Sequence, residues 1–90
     1  MNKSELIEHI AKNADTTKAQ ATRALDETMG AIKQTLRRGG AVNLLGFGTF
    51  YIGKRAARMG RNPRNGMPLR IKEQKVPKFK AGKGLKEAVN

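Results

Sequence analysis

The 90-residue sequence has no cysteine and a single histidine, His9. The first absence excludes disulfide bonds, and the two together leave no His/Cys cluster that could hold a metal ion. His9 lies off the apolar stripe of its predicted helix, which indicates a surface residue. Asp26 and Glu27 are adjacent on a predicted helix and point in different directions, so they form no pair for acid–base chemistry. We therefore expect no cofactor and no enzymatic activity.

Long apolar runs are also missing. No stretch approaches the ~20 residues that a transmembrane helix needs, and the first residues do not follow the basic-then-apolar pattern of a signal peptide. There is no internal repeat, low-complexity tract or linker. We expect a single domain, residues 1–90, in a cytoplasmic protein without a membrane role.

A chain this short buries only a modest core, and small domains commonly rely on a disulfide, a metal or a partner subunit. The composition excludes the first two. A partner subunit is therefore the expected source of additional stability.

Acidic residues are scarce in the second half of the chain. Residues 1–52 carry seven Lys or Arg and five Asp or Glu, whereas residues 53–90 carry twelve and two. This +10 imbalance is typical of a protein whose partner is a polyanion, and nucleic acid is the commonest one. A merely solubilising surface is the alternative, although such surfaces usually interleave both signs.

Two helices are predicted within residues 1–40. The first covers 2–13, with Asn2 and Glu5 in a capping arrangement. The second begins at Thr17, which forms a capping box with Gln20, and stops at Gly39-Gly40 after roughly twenty residues. The apolar positions recur at helical spacing. They are Leu6, Ile7, Ile10, Ala11 and Ala14 in the first helix, and Ala21, Leu25, Met29, Ile32 and Leu36 in the second.

Strands and a last helix follow. Residues 41–44 alternate as a short strand, Gly46-Phe47-Gly48 turns the chain, and Thr49 begins a second strand. The glycines do not form a dinucleotide-binding loop, because a strand follows them rather than a helix. Pro68 opens a returning strand, and residues 83–89 form a short helix.

The segment 46–79 predicts a long two-stranded ribbon, or arm. Asn65-Gly66 is a strong hairpin signal, because both residues accept the positive φ of a type I′ turn. In strand geometry Arg55 and Arg61 share one face, and Lys54, Arg58 and Arg64 the other, so both faces are predicted to be basic. A short basic helix over 54–61 is the alternative, but the glycines at 53 and 60 confine it to barely two turns.

The arm suggests how nucleic acid is bound. It has few residues suited to reading bases in the major groove, and many arginines and lysines, which the negative potential of the minor groove attracts. Pro63, at the predicted tip, is either a plain turn former or an apolar wedge that unstacks a base step and kinks the duplex. The sequence leaves both roles open.

The sequence resembles the HU family of bacterial histone-like DNA-bending proteins, relatives of integration host factor, over essentially its whole length. The matching motifs are the MNKSELI start, GFGTF, AARMGRNP and the KVPKFKAGKGLKEAVN ending. The resemblance implies an α+β fold in an intertwined dimer: two N-terminal helices per subunit, a three-stranded antiparallel sheet, a protruding β-arm and a short C-terminal helix. Residues 1–40 would form the helical dimerisation base, 41–81 the saddle sheet and arm, and 82–90 the last helix.

The resemblance also implies residue roles. Pro63 would be the intercalating tip, and the other expected DNA contacts lie on the arm and body. The resemblance implies Arg55, Arg58 and Arg61 on the arm and Lys3, Lys80 and Lys83 on the body. We expect further contacts from the other basic residues of the arm and from its tip, namely Asn62, Arg64, Asn65, Arg70, Lys72 and Lys75. The expected dimer core consists of Leu6, Leu25, Met29, Ile32, Leu36, Phe47, Phe50 and Phe79.

The tip departs from the family pattern, which commonly reads Asn-Pro-x-Thr-Gly followed by an acid. Asn65 replaces the threonine and Met67 the acid, and Arg64 adds a cation, so we expect firm DNA binding with little sequence preference. The expected protein is a nucleoid-associated homodimer that bends and compacts duplex DNA and prefers distorted DNA. Three alternatives stay open: a heterodimer with a paralogue, a sequence-specific subunit of integration-host-factor type, and a protein that binds structured or ribosomal RNA.

Overall fold

The computed structural model describes residues 1–90 and has the predicted α+β fold. Its elements, in chain order, are α1 (Lys3–Asn13), α2 (Lys18–Arg37), β1 (Val42–Leu44), β2 (Gly48–Arg55), β3 (Arg58–Arg61), β4 (Pro68–Ile71), β5 (Gln74–Ala81) and α3 (Lys83–Ala88). No helix combines the length and apolar character needed to cross a bilayer. The chain divides into two compact units, Met1–Thr35 and Leu36–Asn90.

The first unit contains the helix starts that the sequence predicts. Asn2 caps α1, because its Oδ1 accepts a hydrogen bond from the backbone N–H of Glu5 at 2.9 Å. Thr17 and Gln20 form the reciprocal capping box: Gln20 N donates to Thr17 Oγ1 at 3.1 Å, and Thr17 N donates to Gln20 Oε1 at 3.3 Å. Each cap satisfies backbone donors that a helix start otherwise leaves without a partner.

The end of α2 is also as predicted. Gly39 takes a left-handed conformation with φ of 84°, and its N–H donates to the carbonyl of Leu36 at 2.9 Å. Glycine adopts this conformation without the penalty that a Cβ imposes, so the helix stops here.

The second unit is built on a three-stranded antiparallel sheet in the order β1-β2-β5. The β2–β5 register pairs Phe50 with Phe79 and Tyr51 with Lys78. Because paired residues project to the same side of a sheet, Phe50 and Phe79 lie on one face and Tyr51 and Lys78 on the other. We call these the aromatic face and the lysine face.

The arm is interrupted rather than continuous, contrary to the sequence prediction. β3 and β4 form a separate two-stranded ladder, and residues 56–57 and 72–73 belong to neither sheet. We call these four residues the joint. The alternative of a basic helix over 54–61 is wrong, because residues 54–55 and 58–61 are paired in strands.

Phenylalanine rings form the core of the aromatic face. Phe79 lies between its neighbours, with ring centroids 4.8 Å from Phe50 and 5.8 Å from Phe47. Gly48 is buried beneath it, and the Phe79 ring fills the space that a Cβ at residue 48 would need. Gly48, the second glycine of the GFGTF motif, therefore leaves the space that the Phe79 ring occupies.

Helix α3 docks on the turn between β1 and β2. Gly82 N donates to the carbonyl of Phe47 at 2.7 Å, and Leu85 N donates to the carbonyl of Gly46 at 3.1 Å. The helix ends at Ala88, one residue earlier than predicted. These backbone bonds fix the position of the lysines on α3.

The chain covers few of its apolar side chains. The buried apolar residues are only Ala11, Ala21 and Leu36, and no large side chain is fully buried. Phe47 is 47% exposed and Phe79 is 41% exposed. The remaining expected dimer-core residues are half-buried: Leu6, Leu25, Met29, Ile32 and Phe50.

Candidate nucleic-acid interface

The cations of residues 53–90 are largely free of acidic partners. The two acids of this region each contact one lysine: Glu73 Oε1 lies 4.0 Å from Lys54 Nζ, and Glu87 Oε1 lies 3.9 Å from Lys83 Nζ. The other ten Lys and Arg have no carboxylate within ion-pair distance, and all twelve are exposed. The positive charge is therefore available to an external polyanion.

The lysine face of the sheet carries cations next to polar residues. Lys80 pairs with Thr49 and Lys78 with Tyr51, on the side opposite the phenylalanines. The aliphatic stem of Lys78 crosses Gly53, where a Cβ would lie 2.7 Å from Lys78 Cε. Lys78 was missing from the predicted site residues, although its alternation with Lys80 in a strand would have indicated it.

A shallow concavity of about 440 Å³ borders this face at α3. Its lining includes Lys80 and Lys83, both predicted DNA contacts, and Lys86, which the sequence analysis did not include. Spacing could have revealed Lys86, because residues three apart on a helix are neighbours. The docking of α3 thus brings three lysines to one surface.

Lys3 belongs to the first unit and makes an ion pair there. Its Nζ lies 2.8 Å from Asp26 Oδ1, and both side chains are about half exposed (55% and 51%). A lysine held this way remains accessible to a phosphate, which would compete with the carboxylate for the same ammonium. The sequence analysis did not anticipate this pair.

The proximal arm distributes its cations over both faces. In the β2–β5 register Arg55 pairs with Gln74 and Lys54 with Lys75, so adjacent pairs project to opposite sides. Lys72 lies in the joint and is exposed. All of these predicted contacts therefore reach solvent without forming one compact cluster.

The distal ladder has two different faces. Arg58 pairs with Ile71 and Gly60 with Leu69 on one face, whereas Met59 pairs with Arg70 and Arg61 with Pro68 on the other. Each face carries arginine, as predicted. The first face is mainly apolar, because Leu69 and Ile71 both project from it.

The tip is a preorganised loop of a different type from the one predicted. Gly66 N donates to the carbonyl of Asn62 at 2.7 Å, and only Gly66 has a positive φ, of 69°. The prediction of a type I′ turn at Asn65-Gly66 is therefore wrong, because such a turn needs a positive φ at Asn65 as well. Pro63 fixes its own φ near −65°, which starts a right-handed turn and leaves only the last loop residue to reverse the chain.

Asparagine side chains hold this loop. Asn62 Oδ1 accepts from Arg64 N, and Asn65 Oδ1 accepts from Met67 N, both at 2.9 Å. Such bonds to the backbone two residues ahead are the usual way asparagine stabilises a turn. Pro63 is thereby presented on the exposed end of the arm.

Comparison with known proteins gives consistent matches over the full chain. The family described as "Bacterial DNA-binding protein" matches residues 1–90. DNA-binding protein HU-beta of Neisseria meningitidis is 58% identical over 89 residues, covering 99% of this chain and 100% of the relative. HU-beta of Escherichia coli is 53% identical over 90 residues, with full coverage of both chains.

Solved structures agree. An Anabaena HU–DNA cocrystal structure matches with a TM-score of 0.89 and 40% identity, covering 99% of this chain and 97% of that one. HU from Thermotoga maritima matches with a TM-score of 0.73 and 34% identity over the whole of both chains.

The fold and the surface described above define a β-arm protein, in which a small sheet carries a cationic hairpin with a proline at its end. This class includes the relatives just described. The chain belongs to the HU family of bacterial DNA-binding proteins.

Proposed function

We propose that this protein is a nucleoid-associated architectural protein that binds duplex DNA in the minor groove and bends it, with little sequence specificity. The observation that carries the proposal is the arm, whose cations other than Lys54 lack carboxylate partners and whose exposed tip is Pro63. The names of its relatives, including an HU–DNA cocrystal structure, support the same function.

The minor groove is favoured by the residues of the distal arm. Direct reading of bases in the major groove uses Asn, Gln, Glu or Arg projecting from a rigid element. The two asparagines of the tip have their side-chain oxygens engaged with backbone N–H groups, so these oxygens are not free to accept from bases. The arginines that remain are suited to the negative potential of a narrow groove rather than to a base code.

Pro63 is proposed as the wedge. The loop is held by three hydrogen bonds, so inserting the rigid ring costs little further ordering of the chain. Unstacking one base step costs a few kcal/mol, which is offset when the bent duplex reaches additional cations. Lys80, Lys83 and Lys86 on the body would supply those contacts.

A homodimer is proposed as the functional form. Two exposed phenylalanines and the absence of any fully buried large side chain indicate a core that a second subunit completes. The dimer would present two arms to one duplex. A heterodimer with a paralogue would bury the same rings.

The first experiment compares linear, nicked and four-way-junction DNA with a structured RNA hairpin at two salt concentrations. We expect the distorted DNAs to bind most tightly, and the logarithm of affinity to fall with log salt by roughly 0.9 per phosphate neutralised. A preference for RNA, or a large gap between one duplex sequence and random DNA, would replace the proposal with one of the two rival functions.

The second experiment tests the wedge with Pro63→Ala, and Pro68→Ala is the matched control. Pro68 is also exposed on the arm, but it opens β4 opposite Arg61 and does not lie at the tip. We expect Pro63→Ala to reduce the bend angle measured by energy transfer between duplex ends, while the subunit association stays unchanged. An equal bend angle in both variants would reject the wedge.

A further inference from the structure

The distal ladder separates two kinds of side chain. On one side lie Ile71 and Leu69, and Met67 continues the alternation by one position, because Asn62 N donates to the Met67 carbonyl at 2.8 Å in the same register. We call Met67, Leu69 and Ile71 the apolar stripe. The opposite side holds Met59, Arg61, Pro68 and Arg70, which we call the arginine face.

Contacts within the ladder support this assignment independently of the alternation. A Cβ built on Gly60 would lie 2.8 Å from Ile71 Cδ1, so the Ile71 side chain leans across the glycine on the shared face. Gly60 therefore leaves room for the stripe on the facing strand. A larger residue there would displace Ile71.

Two of the three stripe residues are exposed although they are apolar, and Ile71 is half-buried. Met67 is 60% exposed and Leu69 is 47% exposed. Nothing within the chain covers this surface, and an exposed contiguous apolar strip on an otherwise charged element usually marks a contact surface.

We propose that the apolar stripe is a second DNA-contacting surface that packs against the deoxyribose walls of the minor groove and supplies a salt-independent part of the affinity. This inference rests on the proposed function and goes beyond it, since it gives the apolar side chains of the ladder a role separate from that of its cations. Sugar C–H groups line the groove on both sides, and the phosphates lie outside them. The stripe has Arg58 at one end and Arg64 at the other. Its apolar side chains would therefore meet the sugars, and the two arginines would meet the phosphates outside them.

The minor groove is favoured over a protein partner by continuity with the rest of the interface. The stripe begins one residue after the Pro63–Gly66 loop and runs along the same strand that carries Arg70. Any groove that receives the tip therefore receives the adjoining strand as well. Met67 is suited to an irregular wall, because its side chain is unbranched and adapts to the surface it meets.

Two methionines provide a matched test. Met59 and Met67 are similarly exposed, at 67% and 60%, and lie on opposite faces of one ladder. Each is replaced by glutamine, which keeps the length of the side chain but removes its apolar character. Affinity for a nicked duplex is then measured by fluorescence anisotropy at four salt concentrations.

We expect Met67→Gln to weaken binding about fivefold at every salt concentration, which corresponds to about 1 kcal/mol. The slope of log affinity against log salt should stay the same, because no phosphate contact is lost. Met59→Gln should change affinity by less than about twofold, since it removes no contact of the stripe. Met67→Leu should retain the affinity of the parent protein, which shows that the apolar character of residue 67 matters and that the arm is still formed.

The results can overturn the inference in three ways. Equal effects of the two glutamine variants, an altered salt slope for Met67→Gln, or a loss of affinity in Met67→Leu would each remove the stripe as a sugar-contacting surface. If the parent protein itself failed to bind DNA, the proposed function would fail instead. The two failures are therefore distinguishable in one set of titrations.

Discussion

Replacing Phe79 by alanine tests whether a second subunit completes the aromatic core. Phe79 contacts both Phe47 and Phe50, with centroid separations of 5.8 and 4.8 Å, and yet it is 41% exposed in the single chain. Its truncation should therefore have different consequences in a monomer and in a dimer that covers the rest of the ring.

The magnitude follows from the exposure. Truncating a fully buried phenylalanine to alanine costs about 3–5 kcal/mol. A lone chain covers only part of the ring. If the cost scales with the covered part, Phe79→Ala would lower its free energy of unfolding by roughly 2–3 kcal/mol. In a homodimer the newly covered part adds roughly 1–2 kcal/mol per subunit, or about 2–4 kcal/mol per dimer, so the dissociation constant should rise about 30- to 1,000-fold.

Sedimentation equilibrium over a wide concentration range measures this change directly. Thermal unfolding at several concentrations provides a second measurement, because the midpoint of a dimer depends on protein concentration. Tyr51→Ala is the matched control: Tyr51 is 36% exposed in the same sheet but lies on the lysine face. We expect it to leave association unchanged.

Two outcomes would refute the reasoning. A parent protein that sediments as a monomer at all concentrations, with a midpoint independent of concentration, would show that the exposed rings have no subunit partner. Equal weakening of association by Phe79→Ala and Tyr51→Ala would show that the aromatic face is not the interface.

Three further predictions concern the helix cap, the tip and the apolar stripe. Thr17→Ala should lower the free energy of unfolding by about 0.5–2 kcal/mol in chemical denaturation, because the N–H of Gln20 loses its acceptor. Thr28→Ala is the control and should cost less, because the Thr28 hydroxyl only donates to the Ala24 carbonyl within α2. Arg64→Ala combined with Met67→Glu should weaken duplex binding and make it less dependent on salt, since one cation is removed and one acid added, and equal or stronger binding would contradict our account of the tip. Treatment with peroxide should weaken binding in the parent protein but not in Met67→Leu, because oxidation to the sulfoxide makes the thioether polar, and mass spectrometry of the arm peptide checks the modification.

Local signals in the sequence were sufficient for the helices. Asn2, Thr17 with Gln20, and Gly39 each act on a neighbouring backbone group three or fewer residues away. Such contacts depend on the chain segment itself and not on tertiary context. For this reason the helix boundaries were predicted to within one or two residues.

The arm was predicted less well, because the conformation of its tip depends on which of two competing local preferences prevails. Asn65-Gly66 favours a type I′ turn, but Pro63 commits the loop to a right-handed start, and the proline prevails. The interruption at residues 56–57 has no glycine or proline to announce it. The alternation of Leu69 and Ile71 is visible in the sequence, but the residues that share their face are defined only by the β3–β4 register.

Of the body residues, Lys78 and Lys86 were missed for different reasons. The alternation of Lys78 with Lys80 in β5 places both on one face, but the pairing with Tyr51 and Thr49 is needed to show that this face lies opposite the phenylalanines. Lys86 joins the concavity because α3 docks through backbone bonds to Gly46 and Phe47. The spacing of Lys83 and Lys86 shows that they are neighbours on α3, but only this backbone docking shows that they border the same concavity as Lys80.

The joint at residues 56–57 and 72–73 has a consequence for the range of duplexes that one protein accommodates. Since these four residues belong to neither ladder, we expect that small rotations of their backbone would redirect the far hairpin without breaking the registered pairs on either side. The orientation of the tip loop would then be independent of the three-stranded sheet. We therefore expect that the tip loop can keep its hydrogen bonds while the arm contacts double helices with different degrees of bending.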